Sequence, residues 1–107
     1  MELPEELREQ AIDEFMDGQP RANQWREMRV ALAGRLKDSL AVREEAISKG
    51  EPTVKLDRKV RELREQINAL AEEEAISQFV EDSVRSTLQR QARVRVGADF
   101  EVDESEE

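Results

Sequence analysis

The apolar side chains recur at helical spacing in three stretches of the chain, which Gly and Pro separate from one another. The first stretch starts at Pro4, has acidic residues in its first turn and stops before Gly18, so it predicts a helix over residues 4–17. The second stretch lies between Pro20 and Gly50 and predicts a helix over residues 20–49. The third extends over residues 53–91 without a Gly or a Pro and predicts a long third helix.

The second and third stretches are expected to fold back on each other. Because the turn at residues 50–52 is short, the two helices should be antiparallel neighbours, with facing residues whose numbers sum to about 102. This register places Arg26 and Arg29 opposite the run Glu72–Glu74. The expected seam consists of Trp25, Met28, Leu32, Leu36, Leu40 and Ile47 on one side and of Leu56, Val60, Leu63, Ile67 and Leu70 on the other. The sequence therefore predicts an antiparallel, coiled-coil-like helical hairpin.

The second half of the third stretch has a different apolar face. Its apolar residues do not continue the first seam. At about 100° per residue, their face is rotated by roughly 140° around the helix axis relative to the face of the first half. Either one continuous helix has different partners at its two ends, or it breaks near residues 72–75, and the good helix formers there favour continuity. The rotated face needs a cover, which helix 1 could supply through Leu7, Ile12 and Phe15, or a second copy of the chain. Its residues are Ile76, Phe79, Val80, Val84 and Leu88.

The C-terminal segment changes its period. From residue 93 to 102 apolar or small residues alternate with polar residues or Gly, which is typical of a strand. A lone strand would need a sheet edge from another molecule. Its larger apolar residues are Val94, Val96, Phe100 and Val102. We therefore expect an all-α fold: one helical domain over residues 1–92, with helix 1 packed on the hairpin, and an extended tail with an acidic end over residues 93–107.

Composition narrows the possible chemistry. Charged residues make up 40% of the chain and apolar residues 37%, so the core is thin, which suits long helices. Cys and His are both absent, which removes thiolate sites, disulfides and the commonest general base and metal ligand. We expect no enzyme, metal site or cofactor. The start of the chain is acidic and no apolar run approaches the roughly 20 residues of a membrane span, so a cytoplasmic protein is expected.

The net charge of −9 argues against general nucleic-acid binding, since phosphate neutralisation supplies most non-specific affinity. The acidic residues are concentrated near the N-terminus and at the C-terminal end. A basic group near the hairpin corner is interleaved with acidic residues, which favours ordinary pairing on the helix surface. This group consists of Lys49, Lys55, Arg58, Lys59, Arg61 and Arg64.

Two residues of the second predicted helix each have two interpretations. Trp25 lies at the end of the seam and is either part of the core or an exposed anchor for a partner. Gly34 lies in the helix interior, where it either permits the close approach of a neighbouring helix or is a tolerated surface residue.

The segment that starts with Thr53-Val54-Lys55-Leu56-Asp57 and continues through AISQFVEDSVRSTLQR resembles a ribbon-helix-helix repressor. The resemblance implies a short strand followed by two helices, dimerisation through the strand, and Thr53, Lys55 and Asp57 facing the DNA major groove. The chain has no Gly between the two implied helices. A small regulator of the repressor or antitoxin kind is thus one functional hypothesis, and an acidic mimic of nucleic acid is another.

The leading hypothesis is a non-catalytic module for protein–protein interaction or oligomerisation. It follows from the rotated apolar face of the third helix and from the alternating C-terminal segment, which has no strand to pair with in the predicted fold. The expected partner is another protein or a second copy, contacted through Ile76, Phe79, Val80, Val84 and Leu88 of the third helix and through Val94, Val96, Phe100 and Val102 of the tail.

Overall fold

The protein, in a computed structural model, consists of three α-helices, and no strand occurs among residues 4–105. The structure describes the backbone of residues 4–105 and the side chains of residues 4–92. Helix α1 comprises Glu5–Met16, α2 comprises Ala22–Ser48 and α3 comprises Val54–Ser105. The all-α class predicted from the sequence is confirmed. None of the helices in the described part combines the length and apolar character that a bilayer crossing requires.

Local chemistry explains where α1 and α2 begin and end. Pro4 precedes α1, and Asp17 closes it in the left-handed region at φ 48°, followed by Gly18 at φ 80°. At the start of α2, the Arg21 N–H donates to Gln24 Oε1 at 2.7 Å. At its end the Glu51 N–H reaches back to the Ala46 carbonyl oxygen at 2.9 Å. Gly50, at φ 70°, makes this last turn possible, because residues with a Cβ rarely adopt that conformation.

Helix α3 starts at the residue after Thr53. The Thr53 hydroxyl donates to Asp57 Oδ2 at 3.1 Å, and the Asp57 N–H donates to the Thr53 carbonyl oxygen at 2.8 Å. The helix then continues through residues 72–75, the alternative that the helix-forming residues favoured. Residues 54–57 are helical, so the strand that the ribbon-helix-helix resemblance implies at this position is not formed.

An extended segment was expected over residues 93–102, and the backbone of α3 includes these residues. The side chains of residues 93–107 lie outside the described residues.

The tertiary contacts divide the chain into two units. The first unit combines the N-terminal residues through Pro20 with the chain from Gln78 onward, and the second is Arg21–Ser77. In the second unit α2 packs against the first half of α3 as an antiparallel hairpin. Arg29 contacts Glu74, and Arg43 contacts Asp57. The predicted hairpin is therefore confirmed, in the predicted register.

The buried stripe of α2 differs from the predicted apolar face. Met28 and Ile47, both expected in the seam, are 44% and 52% exposed. Ala22, Ser39 and Ala46 are buried in their place. Leu40 is half-buried beside the seam. Eight buried or half-buried positions of α2 follow alternate steps of three and four, as in a coiled-coil seam. They are Ala22, Trp25, Arg29, Leu32, Leu36, Ser39, Arg43 and Ala46.

The buried stripe of α3 does not rotate at residue 72. Val60 and Leu63 are buried in its first half, and the same spacing continues through Ser77 and Glu81, which are also buried. The apolar group that was expected to need a cover is only partly covered: Ile76 and Phe79 are 57% and 73% exposed, whereas Val84 and Leu88 are half-buried on this stripe. Polar residues occupy three successive positions of the stripe, Glu74, Ser77 and Glu81, before apolar residues return. Its successive positions are Leu56, Val60, Leu63, Ile67, Leu70, Glu74, Ser77, Glu81, Val84 and Leu88.

Glu74 connects the two helices of the hairpin. Its Oε2 accepts from Arg26 Nε at 3.0 Å and its Oε1 accepts from Arg29 Nε at 2.7 Å. The hydrogen bonds from Arg29 and Arg26 hold the pKa of the Glu74 carboxyl below its ordinary value of 4.5. Because one carboxylate accepts from two guanidinium groups one turn apart, a shift of α3 along α2 would break both bonds.

Acid should weaken the hairpin through Glu74. A group whose pKa is lowered by folding contributes stability that is fully present above its unfolded pKa and is lost as the pH falls through the folded pKa. We expect the urea midpoint to fall from about pH 4.5 downward. Glu74→Gln should lower the midpoint at pH 7 and reduce this acid dependence. Glu73→Gln, at an exposed neighbouring position, is the matched control, and equal effects of the two variants would contradict the assignment.

Gly34→Ala should stabilise the hairpin unit. An added Cβ at Gly34 would meet no atom within 4 Å, which agrees with the surface interpretation of this residue. Replacement of Gly by Ala in a helix interior contributes about 0.5–1 kcal/mol. The free energy of unfolding, measured by urea denaturation, should rise by that amount. A loss of stability would show that the backbone at this position requires Gly.

Candidate docking groove

An open groove of about 480 Å³ lies between α1 and α3 in the first unit. Helix α1 forms one wall of the groove and α3 forms the other. The lining residues are Ala11, Phe15, Phe79, Val80, Ser83, Val84, Thr87 and Leu88. No acidic or basic side chain is among them, and the Ser83 and Thr87 hydroxyl groups are the polar side-chain groups of the lining.

The packing of α1 determines which of its residues line the groove. Ile12 is fully buried and Met16 is 7% exposed, so the face that carries these residues is the inner face of α1. Glu9, one turn before Ile12, accepts from Arg85 Nη2 of α3 at 3.0 Å. With this face turned inward, Ala11 and Phe15 fall on the flank of the helix, where they form the groove wall.

Two phenylalanines make the groove chemically distinctive. Phe15 is 68% exposed and Phe79 is 73% exposed, one on each wall. Burying one apolar side chain of this size contributes about 1.5–3 kcal/mol, so covering both would provide several kcal/mol toward association. The groove contains no pair of ionisable groups and no activated nucleophile, so its lining offers apolar contact and no group for acid–base chemistry.

The structure brings together four of the predicted partner-binding residues and separates a fifth. Phe79, Val80, Val84 and Leu88 all line the groove. Ile76 belongs to the second unit, where it is 57% exposed. The other four, Val94, Val96, Phe100 and Val102, have side chains outside the described residues.

Helix α1 contributes residues that the sequence had assigned differently. Leu7, Ile12 and Phe15 were expected to cover the rotated face of α3, but only Ile12 is buried and Leu7 is 52% exposed. Phe15 and Ala11 line the groove instead of closing it. The spacing of α1 showed one broad apolar stripe, and only packing decided which edge of it turned inward.

A second cleft, of about 400 Å³, lies on the hairpin and is charged. Arg43, Arg61 and Arg64 line it together with the carboxylates of Asp57 and Glu65. Arg43 Nε donates to Asp57, and this hydrogen bond is the largest cause that holds the pKa of Asp57 below its ordinary value. Asp57 thus pairs across the hairpin, and the charge of Arg61, one turn ahead on its own helix, also lowers the pKa of Asp57. The two carboxylates offset much of the positive charge that an anionic ligand would require.

Comparison with known proteins identifies no relative: no family model, no curated protein and no solved structure matches this chain. No group of three or more acidic residues, His or Cys in the described part of the chain could hold a metal ion. The functional assignment consequently depends on the geometry and chemistry of the chain itself, and the apolar groove is its most distinctive surface.

Ile12 is buried and Phe15 is exposed, so their replacement by Ala should affect stability differently. Ile12→Ala should lower the free energy of unfolding by about 2–5 kcal/mol, because it removes a fully buried side chain. Phe15→Ala should change it by less than about 1 kcal/mol, since that side chain is mostly in water. Chemical denaturation followed by circular dichroism measures both values. A large loss at Phe15 would mean that the groove is closed in solution.

Proposed function

We propose that this chain is a non-catalytic protein–protein interaction module and that the groove between α1 and α3 receives the partner protein. The observation that carries the proposal is the pair of exposed phenylalanines, Phe15 and Phe79, on opposite walls of an apolar groove. Exposed apolar patches on soluble proteins commonly mark interaction sites, and aromatic residues dominate the energy of such interfaces.

The groove dimensions favour a helical segment of the partner. The α3 side extends from Phe79 to Leu88, which at 1.5 Å per residue is roughly 14 Å, or two and a half helical turns. An amphipathic helix presents apolar side chains at positions i, i+3 or i+4, and i+7 over a similar length. Such a helix would cover both phenylalanines and would complete the packing of α1 with a third helix.

A DNA-binding regulator has less support. The ribbon-helix-helix resemblance depends on a strand around Lys55, and that residue lies in the first turn of α3. The described hairpin offers a mixed cleft in which Asp57 and Glu65 accompany the arginines. Phosphate binding would require these carboxylates to lie near phosphate groups, which is unfavourable.

Groove variants should separate specific partners from adsorbed proteins. The chain, immobilised and exposed to native lysate, should retain a partner protein. The Phe79→Gln variant should retain at least about tenfold less of that protein, because the substitution removes one anchor residue. Val42→Gln is the matched control, because Val42 is an exposed apolar residue, at 51%, on α2. Quantitative mass spectrometry compares the three samples.

Circular dichroism should show equal helicity for both variants, since neither replaced side chain is buried. A set of retained proteins that Phe79→Gln and Val42→Gln reduce equally, or that neither reduces, would contradict docking in the groove. Light scattering on the wild type measures whether the chain associates with itself.

A further inference from the structure

We infer that α1 is a detachable helix, which opens from α3 while the α2–α3 hairpin remains folded. The inference goes beyond the proposed function and does not rest on it, because it concerns the free chain. Residues 21–77 form a unit of their own, and α1 belongs to the other unit. The ion pairs of Glu74 with Arg26 and Arg29 connect the two helices of the hairpin. These contacts remain when α1 leaves α3.

Helix α1 is a weak helix by itself. It has 12 residues, and isolated helices of this length are marginal in water. No side-chain hydrogen bond caps its first turn, and none of the described residues in its last turn is basic. Glu14 and Asp17 lie at its C-terminal end, where negative charge opposes the helix dipole. The helix therefore depends on its contacts with α3.

Few side chains provide the apolar contact of α1 with α3. Ile12 and Met16 are buried, and every other residue of this helix is half-buried or exposed. Phe15, its largest side chain, is 68% exposed and adds little to docking. The ion pair of Glu9 with Arg85 is about one-third exposed on both sides, and ion pairs in contact with solvent contribute little. The apolar contribution to docking therefore comes mostly from Ile12 and Met16.

Docking is opposed at Arg8. This residue lies one turn before Ile12, on the face of α1 that packs on α3. Its Nε atom is buried and has no hydrogen-bond partner in the described part of the chain. A buried donor without an acceptor has lost its hydrogen bonds to water, which is unfavourable. Opening of α1 returns this atom to water and removes the unfavourable contact.

The connection that follows α1 is exposed. Asp17, Gly18 and Gln19 are all exposed, and a Cβ added at Gly18 would meet no atom within 4 Å. Segments with few buried contacts open at low free energy. The backbone of this connection can therefore change its dihedral angles without disturbing a packed core.

Opening of α1 removes one wall of the groove. Ala11 and Phe15 leave with the helix, whereas the other lining residues belong to α3. For the proposed function, the docked fraction of the chain would therefore limit the apparent affinity for the partner. The two proposals fail separately, since opening is measured on the free chain and docking by retention of a partner that Phe79→Gln weakens.

Hydrogen exchange of the free chain, followed by mass spectrometry, tests the inference. After correction for intrinsic rates, peptides from α1 should exchange at least about tenfold faster than peptides from α2, because opening of α1 requires less free energy than unfolding of the hairpin. Equal protection of the two helices would overturn the inference.

A substitution in the hairpin separates the two opening reactions. Leu63 is 6% exposed in the seam, so Leu63→Ala should accelerate exchange in α2 at least about tenfold. Exchange in α1 should stay within about twofold of the wild type, because the hairpin is folded both before and after α1 opens. If Leu63→Ala abolishes helicity, Glu74→Gln is the milder variant for the same comparison. Equal acceleration in α1 and α2 would mean that α1 opens only by global unfolding, and the inference would be wrong.

Two substitutions in α1 should change its exchange in opposite directions. Ile12→Ala should accelerate it at least about tenfold, because it removes a buried contact with α3. Arg8→Lys should slow it severalfold, since Lys keeps the positive charge and places a methylene where the buried Nε lies. Arg35→Lys, at an exposed position of α2, is the control and should change nothing. If neither α1 substitution alters exchange in α1, its contacts with α3 do not control the opening and the inference fails.

Discussion

The contact of Glu74 with Arg26 and Arg29 is the constraint on which the hairpin depends. Several buried positions of α2 in the seam with α3 have small side chains, namely Ala22, Ser39 and Ala46. Small side chains fix register weakly, because a shifted alignment buries almost as much apolar area. A carboxylate that accepts from two guanidinium groups on successive turns makes a shifted alignment unfavourable, since it would leave these charges unpaired in a partly buried place.

Three successive polar residues in the buried stripe of α3 leave neighbouring apolar residues exposed. Because α3 continues without a break, its buried stripe continues through Glu74, Ser77 and Glu81 at coiled-coil spacing. The neighbouring apolar residues Ile76 and Phe79 lie off this stripe and remain mostly in water. An exposed phenylalanine is thus a direct consequence of polar residues in the seam, and it is the residue on which the proposed function depends.

Helix α1 provides the second wall of the groove. Its inner edge, Ile12 and Met16, is buried, while its flank presents Phe15 to the groove and Glu14 to solvent. One short helix therefore provides both a buried contact with α3 and an exposed apolar wall.

The sequence by itself determined the three helices, both ends of α1 and α2, the start of α3 and the antiparallel pairing of α2 with α3, because Gly, Pro and capping residues act locally and a short turn restricts its neighbours. It also indicated four of the groove residues, Phe79, Val80, Val84 and Leu88, from their departure from the first seam. Only the tertiary structure decided burial: Met28, Ile47 and Phe15 are exposed, whereas Ser77 and Glu81 are buried. The physical reason is that seam geometry selects positions at steps of three and four whatever residues occupy them. Hydrophobicity alone could therefore show which residues favour burial but not which ones the neighbouring helix would cover.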